Sequence, residues 1–570
     1  MTSLSLSLLA VYATFHKVKF ARKTLKVNLA QERFLLNLLQ AHRNTEMGRQ
    51  LGLGNIQNID QFREQVPILP YESYEPYVER ICRGEKNILN PEPVVYINLS
   101  SGSTGNKKQV PVTRRFQASL RQADLASMGF AIELLGQRGL EFGKTLLPNS
   151  ANLQGVTSAG IPYGPVSAGS ISKGQFLFEQ AFVHPFEVLK IADSLARHYV
   201  CLLFALRDRD MRGFTANFPM LVLRTCGYLE CYGEDLINDL ETGAIASWLK
   251  LEPHIRVKLE RKLFPAPDRA AELRQILNTE GRLTPKQAWS NLSYVLTAQG
   301  GTSDFYLQHF PNYFGNTPVF GGVYGSAEAT FSVYHQFNSE AGILAIESGF
   351  FEFIPQEQWE VENPQTLLAT EVQAGKLYRI LVTSYSGFYR YDIGDVVEVL
   401  GFYNQAPLIA FRYRRGGLLS SITEKTTESH AIRVMQALHQ EFNLRLDDFC
   451  ITLSEHEFPA HYIVNIELAA GETLSNPQAF LNRFEYWLRQ INTLYAIVRD
   501  GEVRPPQLRI LKSGSFNIVR QRQIKKGMPD SQLKLPHISE DRSFLAELTV
   551  ESEVTLSDEY VNQVLYPLPY

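Results

Sequence analysis

Apolar residues in this chain fall into stretches of different periodicity. Between residues 30 and 52 the leucines at 35, 36, 38 and 39 recur at helical spacing, and glycines at 52 and 54 end the run, so a helix is predicted. Residues 4–15 are mildly apolar, with lysines only afterwards, and read as an N-terminal helix. A block holding Pro67, Pro70 and Pro76 is loop-rich. Residues 94–97 then read as a strand and 115–135 as a helix, which puts the intervening segment between a strand and a helix. The apolar runs 199–206, 220–223, 294–296 and 318–323 are strand-like and alternate with helical segments. That alternation predicts an α/β architecture with a largely parallel sheet.

After Gly325 the pattern changes. Runs at 331–337, 342–354, 376–383, 395–400 and 408–413 are all short and strand-like, predicting antiparallel sheet or a distorted barrel. A basic connector, Arg412-Tyr413-Arg414-Arg415-Gly416-Gly417, follows. Beyond it the pattern reads helix 428–441, strand 450–453, strand 462–468, helix 477–491 and strand 507–511, a small α+β domain of ordinary size. The predicted division is an N-terminal binding domain over 1–412, a hinge over 413–425 and a C-terminal domain over 426–570.

Composition narrows this only a little. A chain of 570 residues, 44% hydrophobic and 20% charged, is long enough for two to four globular domains. Its net charge of -3 gives no reason to expect nucleic acid or a membrane as partner, so any basic site must be local. The five cysteines (82, 201, 226, 231 and 450) form no Cys-x-x-Cys pair and suit reduced thiols in a cytoplasmic protein. The N-terminus lacks the basic start and small-residue cleavage site of a secretory signal, and no apolar run is long enough to span a bilayer.

Four segments carry candidate chemistry. The first is Ser100-Ser101-Gly102-Ser103-Thr104-Gly105-Asn106-Lys107-Lys108, directly after the strand. Glycines let backbone N–H groups approach an anion, hydroxyls donate further bonds and lysines supply charge, which makes it a triphosphate loop; the same composition also suits a surface loop. It has neither the spacing of a Walker loop nor the third glycine of a dinucleotide fingerprint. The second is Val323-Tyr324-Gly325-Ser326-Ala327-Glu328, where Glu328 could hold magnesium or be a solvated turn residue. In the third, Tyr389-Arg390-Tyr391-Asp392-Ile393-Gly394-Asp395, Asp395 suits either a sugar diol or an Asx-turn. The fourth, 525–537, sets Lys534 between apolar residues before a proline, as a delivered point charge or a surface lysine.

Taken in order, these blocks resemble the Gretchen Hagen family of acyl acid–amido synthetases, a branch of the acyl-adenylate-forming superfamily. The resemblance also rests on Asn44-Thr45-Glu46-Met47-Gly48-Arg49, on Val66-Pro67-Ile68 with Tyr71-Glu72, on Glu79-Arg80-Ile81 with Gly84-Glu85, and on Gly401-Phe402-Tyr403-Asn404-Gln405-Ala406-Pro407. It implies a large adenylate-forming α/β domain, with mixed sheets and a barrel-like part, plus a small mobile α+β lid. It implies an ATP- and Mg2+-dependent ligase that adenylates a carboxylic acid, releases pyrophosphate, and passes the acyl group to an amino acid with release of AMP.

The roles it implies follow residue by residue. Ser100, Ser101, Gly102, Ser103, Thr104 and Gly105, with Lys107 or Lys108, would cradle the phosphates. Tyr324 would lie against the adenine, Gly325 and Ser326 would belong to the same ATP site, Glu328 would bind magnesium, and Asp395 would hold the ribose. Lys534 would act in adenylation, and Arg414, Arg415 and Lys425 would belong to the hinge. The partners are then a small carboxylic acid and an amino acid, with no nucleic acid and no membrane, for a monomer. Ala327 replaces a usual serine, Asp392 stands where relatives often carry arginine, and residues 526–530 depart from the family's tail. An acyl-adenylating ligase with a thiol acceptor, and a non-catalytic acid-binding protein, are the alternatives; the acyl acid stays open. The acyl pocket is expected among residues 120–240 and 295–325, with Gly300-Gly301-Thr302-Ser303 near the carboxylate.

Overall fold

The computed structural model describes residues 4–100, 108–171, 175–301, 303–414, 417–421, 424–455, 457, 460–499, 503–528, 530 and 533–556. Two compact units divide the chain: Met1–Phe411 together with Pro529–Gln532, and Arg412–Met528 together with Leu533–Tyr570.

The first unit holds three principal sheets. In one, Gln109–Thr113, Val94–Leu99, Pro162–Pro165 and Gly155–Val156 lie side by side; the outer pairings are antiparallel and the central one parallel. In the second, Thr145–Leu146, Gly213–Thr215, Tyr294–Leu296 and Val319–Phe320 are all parallel. The third has seven strands in the order Phe350–Pro355, Leu377–Thr383, Tyr391–Tyr403, Ala406–Arg414, Gly342–Leu344, Thr330–Val333, Val323–Gly325, antiparallel wherever the register is described. The expected parallel sheet is therefore one of the three, and the change of pattern after Gly325 is the seven-stranded sheet.

Two expected strands are helices. Residues 199–206 lie in Ser194–Arg207, where every residue from Ala196 to Leu206 is buried. A helix enclosed on all sides reads as a continuous apolar run, as a buried strand does. Residues 220–223 lie in Pro219–Cys231, which opens on a proline whose missing N–H costs nothing at a helix start. The phosphate segment also differs from expectation. It joins two antiparallel strands, and the helix Arg114–Gln137 begins only after the second of them. Pro111 is tolerated there because Gln109–Thr113 is the sheet's edge strand.

The N-terminal helix Leu4–Lys23 packs on Arg114–Gln137 through Leu6, Ala13 and Phe20, all buried at seven-residue spacing. The backbones approach so closely at Gly129 that a Cβ there would meet the Ala13 carbonyl oxygen at 2.5 Å.

The second unit is built on the sheet Leu446–Leu453, Tyr462–Leu468, Gln507–Leu511, Val550–Thr555. Glu428–Phe442 and Pro477–Ile491 are amphipathic helices, capped by the Thr427 hydroxyl and the Asn476 amide oxygen. Each buries one stripe, including Ile432, Met435 and Leu438 in the first and Phe480, Phe484 and Leu488 in the second.

Candidate functional site

The phosphate hairpin closes at its base. Ser100 N–H donates to the Lys108 carbonyl at 2.9 Å, and Lys108 N–H donates to Ser100 Oγ at 3.1 Å. Ser101, Gly102, Ser103, Thr104, Gly105 and Lys107 lie outside the described residues. Two residues before Ser100, Asn98 is buried and its amide donates to the Ala327 carbonyl at 3.1 Å, which fixes the second motif beside the phosphate strand.

That second motif is a tight hairpin turn. Ser326 N–H donates to the Ala329 carbonyl at 2.8 Å, while Ser326 Oγ accepts from the N–H groups of Glu328 and Ala329 at 3.0 and 3.3 Å. Ser326 thus orders the turn. Ala327 is buried, so the missing hydroxyl sits in an apolar setting that a methyl group fills. Glu328 is only 2% exposed. Its Oε1 accepts from Tyr391 Oη at 3.3 Å, and its carbonyl accepts from Ser384 Oγ at 2.8 Å.

Tyr391 connects two of the candidate groups. Lys108 Nζ donates to Tyr391 Oη at 3.1 Å and lies 5.4 and 5.7 Å from the ring centres of Tyr71 and Tyr391. A polar chain therefore runs from Lys108 through Tyr391 to Glu328. The phenol shares hydrogen bonds with a cation and a carboxylate that are not in direct contact, in a setting where burial strengthens each interaction. Tyr71 closes the cage: Gln109 N–H donates to its Oη at 2.7 Å, and burial pushes its hydroxyl pKa up to about 12.

Tyr324 and Asp395 also meet. Tyr324 Oη donates to Asp395 Oδ2 at 2.5 Å, and the Tyr324 ring stacks on Phe331 with centroids 4.9 Å apart. Asp395 is buried. It lies within the long strand Tyr391–Tyr403 and not in a free turn; Gly394 just before it takes φ +81°, a left-handed conformation that glycine tolerates. Asp392 accepts from Gly394 N–H at 2.9 Å, and its other oxygen pairs with Arg379 at 3.2 Å. The carboxylate at this departure from the family pattern is thus neutralised by the neighbouring strand.

Arg390 is a structural strut. At φ +42° it is buried against both oxygens of Glu352, at 3.0 and 2.9 Å, and donates to the carbonyls of Arg63 and Val66 at 2.8 Å.

Lys534 belongs to the second unit and is exposed on an extended segment whose neighbours Leu533, Leu535 and His537 are buried. His537 stacks on Phe449 with centroids 4.4 Å apart, and its N–H donates to Glu428 at 2.8 Å. Its carbonyl accepts from Ile451 N–H at 2.9 Å. Alternation of buried and exposed residues therefore turns Lys534 outward from an anchored extended segment. Of the hinge residues, Arg414 ends the strand Ala406–Arg414, Arg415 lies outside the described residues, and Lys425 is exposed at φ +48°. In the altered tail, Asp530 packs within the first unit against Arg197, Arg224 and Ser194. Burial alone would raise its carboxyl pKa, but Arg224, then His198, Ser194 and Arg197, hold it well below the usual range.

Comparison with known proteins fixes the affiliation. The GH3 family N-terminal domain matches residues 17–319, the GH3 family central domain 342–414 and the GH3 family C-terminal domain 429–543. The chain belongs to the GH3 family. It is 26% identical over 539 residues to the indole-3-acetic acid-amido synthetase GH3.3 of Arabidopsis thaliana, covering 90% of this chain and 89% of the relative. To the jasmonoyl–L-amino acid synthetase JAR4 of Nicotiana attenuata it is 28% identical over 539 residues, covering 89% and 90%. Among solved structures, the GH3.15 acyl acid amido synthetase superposes with a TM-score of 0.81 at 24% identity, over 93% of this chain and 95% of that one; at this identity the likeness shows the fold. As a GH3 protein the chain is an ATP-dependent ligase of the acid-amido synthetase type, which conjugates acyl acids with amino acids. Tyr391 and Tyr71 stand inside motifs quoted from the sequence, but the sequence assigned neither of them a role. The signal for Tyr391 was present, two residues ahead of an assigned Ile-Gly-Asp, but its link to Lys108 needs the fold.

Proposed function

We propose that the Lys108–Tyr391–Glu328 chain and the Tyr324–Asp395 pair form the nucleotide site of an acyl-adenylating amide synthetase. The observation that supports this most is Glu328: a nearly buried carboxylate with, among the described residues, no cation in ion-pair contact. Such a group is costly unless a positive ligand joins it. Oxygen donors suit magnesium, which binds through few protein carboxylates plus phosphate oxygens, so Glu328 fits as its protein ligand. When bound, the ion supplies charge neutralisation on the triphosphate.

The chain's own residues do the rest. Ser100 and Lys108 anchor the hairpin that holds the β- and γ-phosphates, the Tyr324 ring faces the adenine, and Asp395 accepts from the ribose hydroxyls. A carboxylate oxygen of the acyl acid bonds to the α-phosphorus as the α–β bridging bond breaks, and pyrophosphate leaves. An amino acid nitrogen then attacks the acyl carbonyl, the bond to AMP breaks, and the amine loses a proton. No side-chain nucleophile is required; positioning and electrostatics lower both barriers. Lys534 contributes charge in the first half-reaction. Five cysteines free of disulfides, together with the need for ATP, support a cytoplasmic setting. The test is a pyrophosphate-release screen over indole, jasmonate-like, benzoate-like and fatty acids with mixed amino acids present. At least one acid should release pyrophosphate and give an amide. Release with transfer only to coenzyme A would replace the amide acceptor with a thiol.

A further inference from the structure

The N-terminal helix has a face that the ligation chemistry does not use. Its inner side packs on Arg114–Gln137, and Lys17 pairs there with Glu133 at 2.9 Å. Its outer side carries Leu8, Val11, Tyr12 and Phe15 at 63%, 69%, 53% and 62% exposure. The spacing of three and four residues places them on one stripe, and the same stripe continues as Lys19 and Arg22, both exposed. The charge is concentrated here. Lys17, Lys19, Arg22, Lys23 and Lys26 all precede Glu32, the first acidic residue of the chain, although the whole chain carries a net charge of -3. Only Lys17 and Lys23 form ion pairs among the described residues, the latter with Glu347. No helix of the described residues is long and apolar enough to cross a membrane.

We propose that this face docks the protein on an anionic lipid surface, with Leu8, Val11, Tyr12 and Phe15 entering the boundary between headgroups and acyl chains. Lys19, Arg22 and Lys26 then face the lipid phosphates. An exposed apolar and aromatic stripe with exposed basic residues next to it suits an interface where acyl chains adjoin anionic headgroups. A second copy of the chain is a poor occupant, because it would bring two unneutralised basic clusters together. The local cluster thus gives a membrane partner that the chain-wide charge conceals.

The experiment is vesicle flotation with the full-length protein. One vesicle preparation is phosphatidylcholine alone, and the other contains about one-third phosphatidylglycerol. The protein should partition at least about tenfold more strongly onto the anionic vesicles, and about 0.5 M salt should abolish the difference. Val11→Ser with Phe15→Ser, and separately Lys19→Glu with Arg22→Glu, should each reduce binding about tenfold. Pyrophosphate release and the melting temperature should not change, since these side chains are exposed and lie outside the nucleotide residues. Wild-type protein that stays unbound with both vesicle types would overturn the proposal, as would variants that float like wild type. A dimer in sedimentation velocity that Val11→Ser with Phe15→Ser dissociates, without vesicle binding, would assign the face to a second copy.

Discussion

Glu328→Gln is expected to lower acid-dependent pyrophosphate release by about 10²–10³-fold while leaving the melting temperature equal to or above that of wild type. The two effects have one cause. The carboxylate is 2% exposed, and its side chain accepts from the Tyr391 hydroxyl. Placing a charge there costs solvation that one phenol bond does not return, and an amide of the same shape removes that cost. A carboxylate kept for structure would behave oppositely, losing stability and activity together. Tyr391→Phe supplies the companion measurement. It keeps the ring against Lys108 but removes the hydroxyl between Lys108 and Glu328, so activity should fall about tenfold and more magnesium should be needed for half-maximal rate. Glu328→Gln with activity within twofold of wild type would remove this residue from the site.

Lys534→Ala is expected to abolish adenylation, by about 10³-fold in ATP–pyrophosphate exchange, and to spare the second half-reaction. Fed a preformed acyl-adenylate, the variant should still make the amide at a rate within several-fold of wild type. The fold explains why the substitution is clean. Leu533, Leu535 and His537 are buried and hold the segment, whereas Lys534 is exposed and contributes no packing that alanine would lose. An exposed lysine kept for solubility would leave both rates unchanged, and normal exchange in the variant would refute the assignment.

The second unit was the part most legible from the sequence. Pro477–Ile491 and Gln507–Leu511 fall where periodicity places them, because an amphipathic helix behind a proline and a short apolar strand each leave a local signature. Where burial is complete the signature disappears: residues 199–206 look the same whether the enclosed element is helix or strand. The strand Gln109–Thr113 was missed because its apolar core is short and contains Pro111. Glu328, Tyr324 and Asp395 were legible as motif residues. Their contacts were not, since Tyr324 meets Asp395, and Glu328 meets Tyr391, through a seven-stranded sheet whose order departs from chain order. The Arg390–Glu352 pair, buried and distant in sequence, left no local pattern. The departures were visible as residues but not as compensations. Only the structure sets Asp392 beside Arg379 and places Ala327 in an apolar setting.

In the proposed reaction one carboxylate oxygen of the acyl acid becomes bonded to the α-phosphorus of ATP. Incubating the protein with an acid labelled with ¹⁸O in its carboxylate, ATP, magnesium and an amino acid, and then weighing the products by mass spectrometry, reads this directly. One labelled oxygen is expected in AMP and none in pyrophosphate. Label in inorganic phosphate, with ADP as the nucleotide product, would mean attack at the γ-phosphorus and would contradict it.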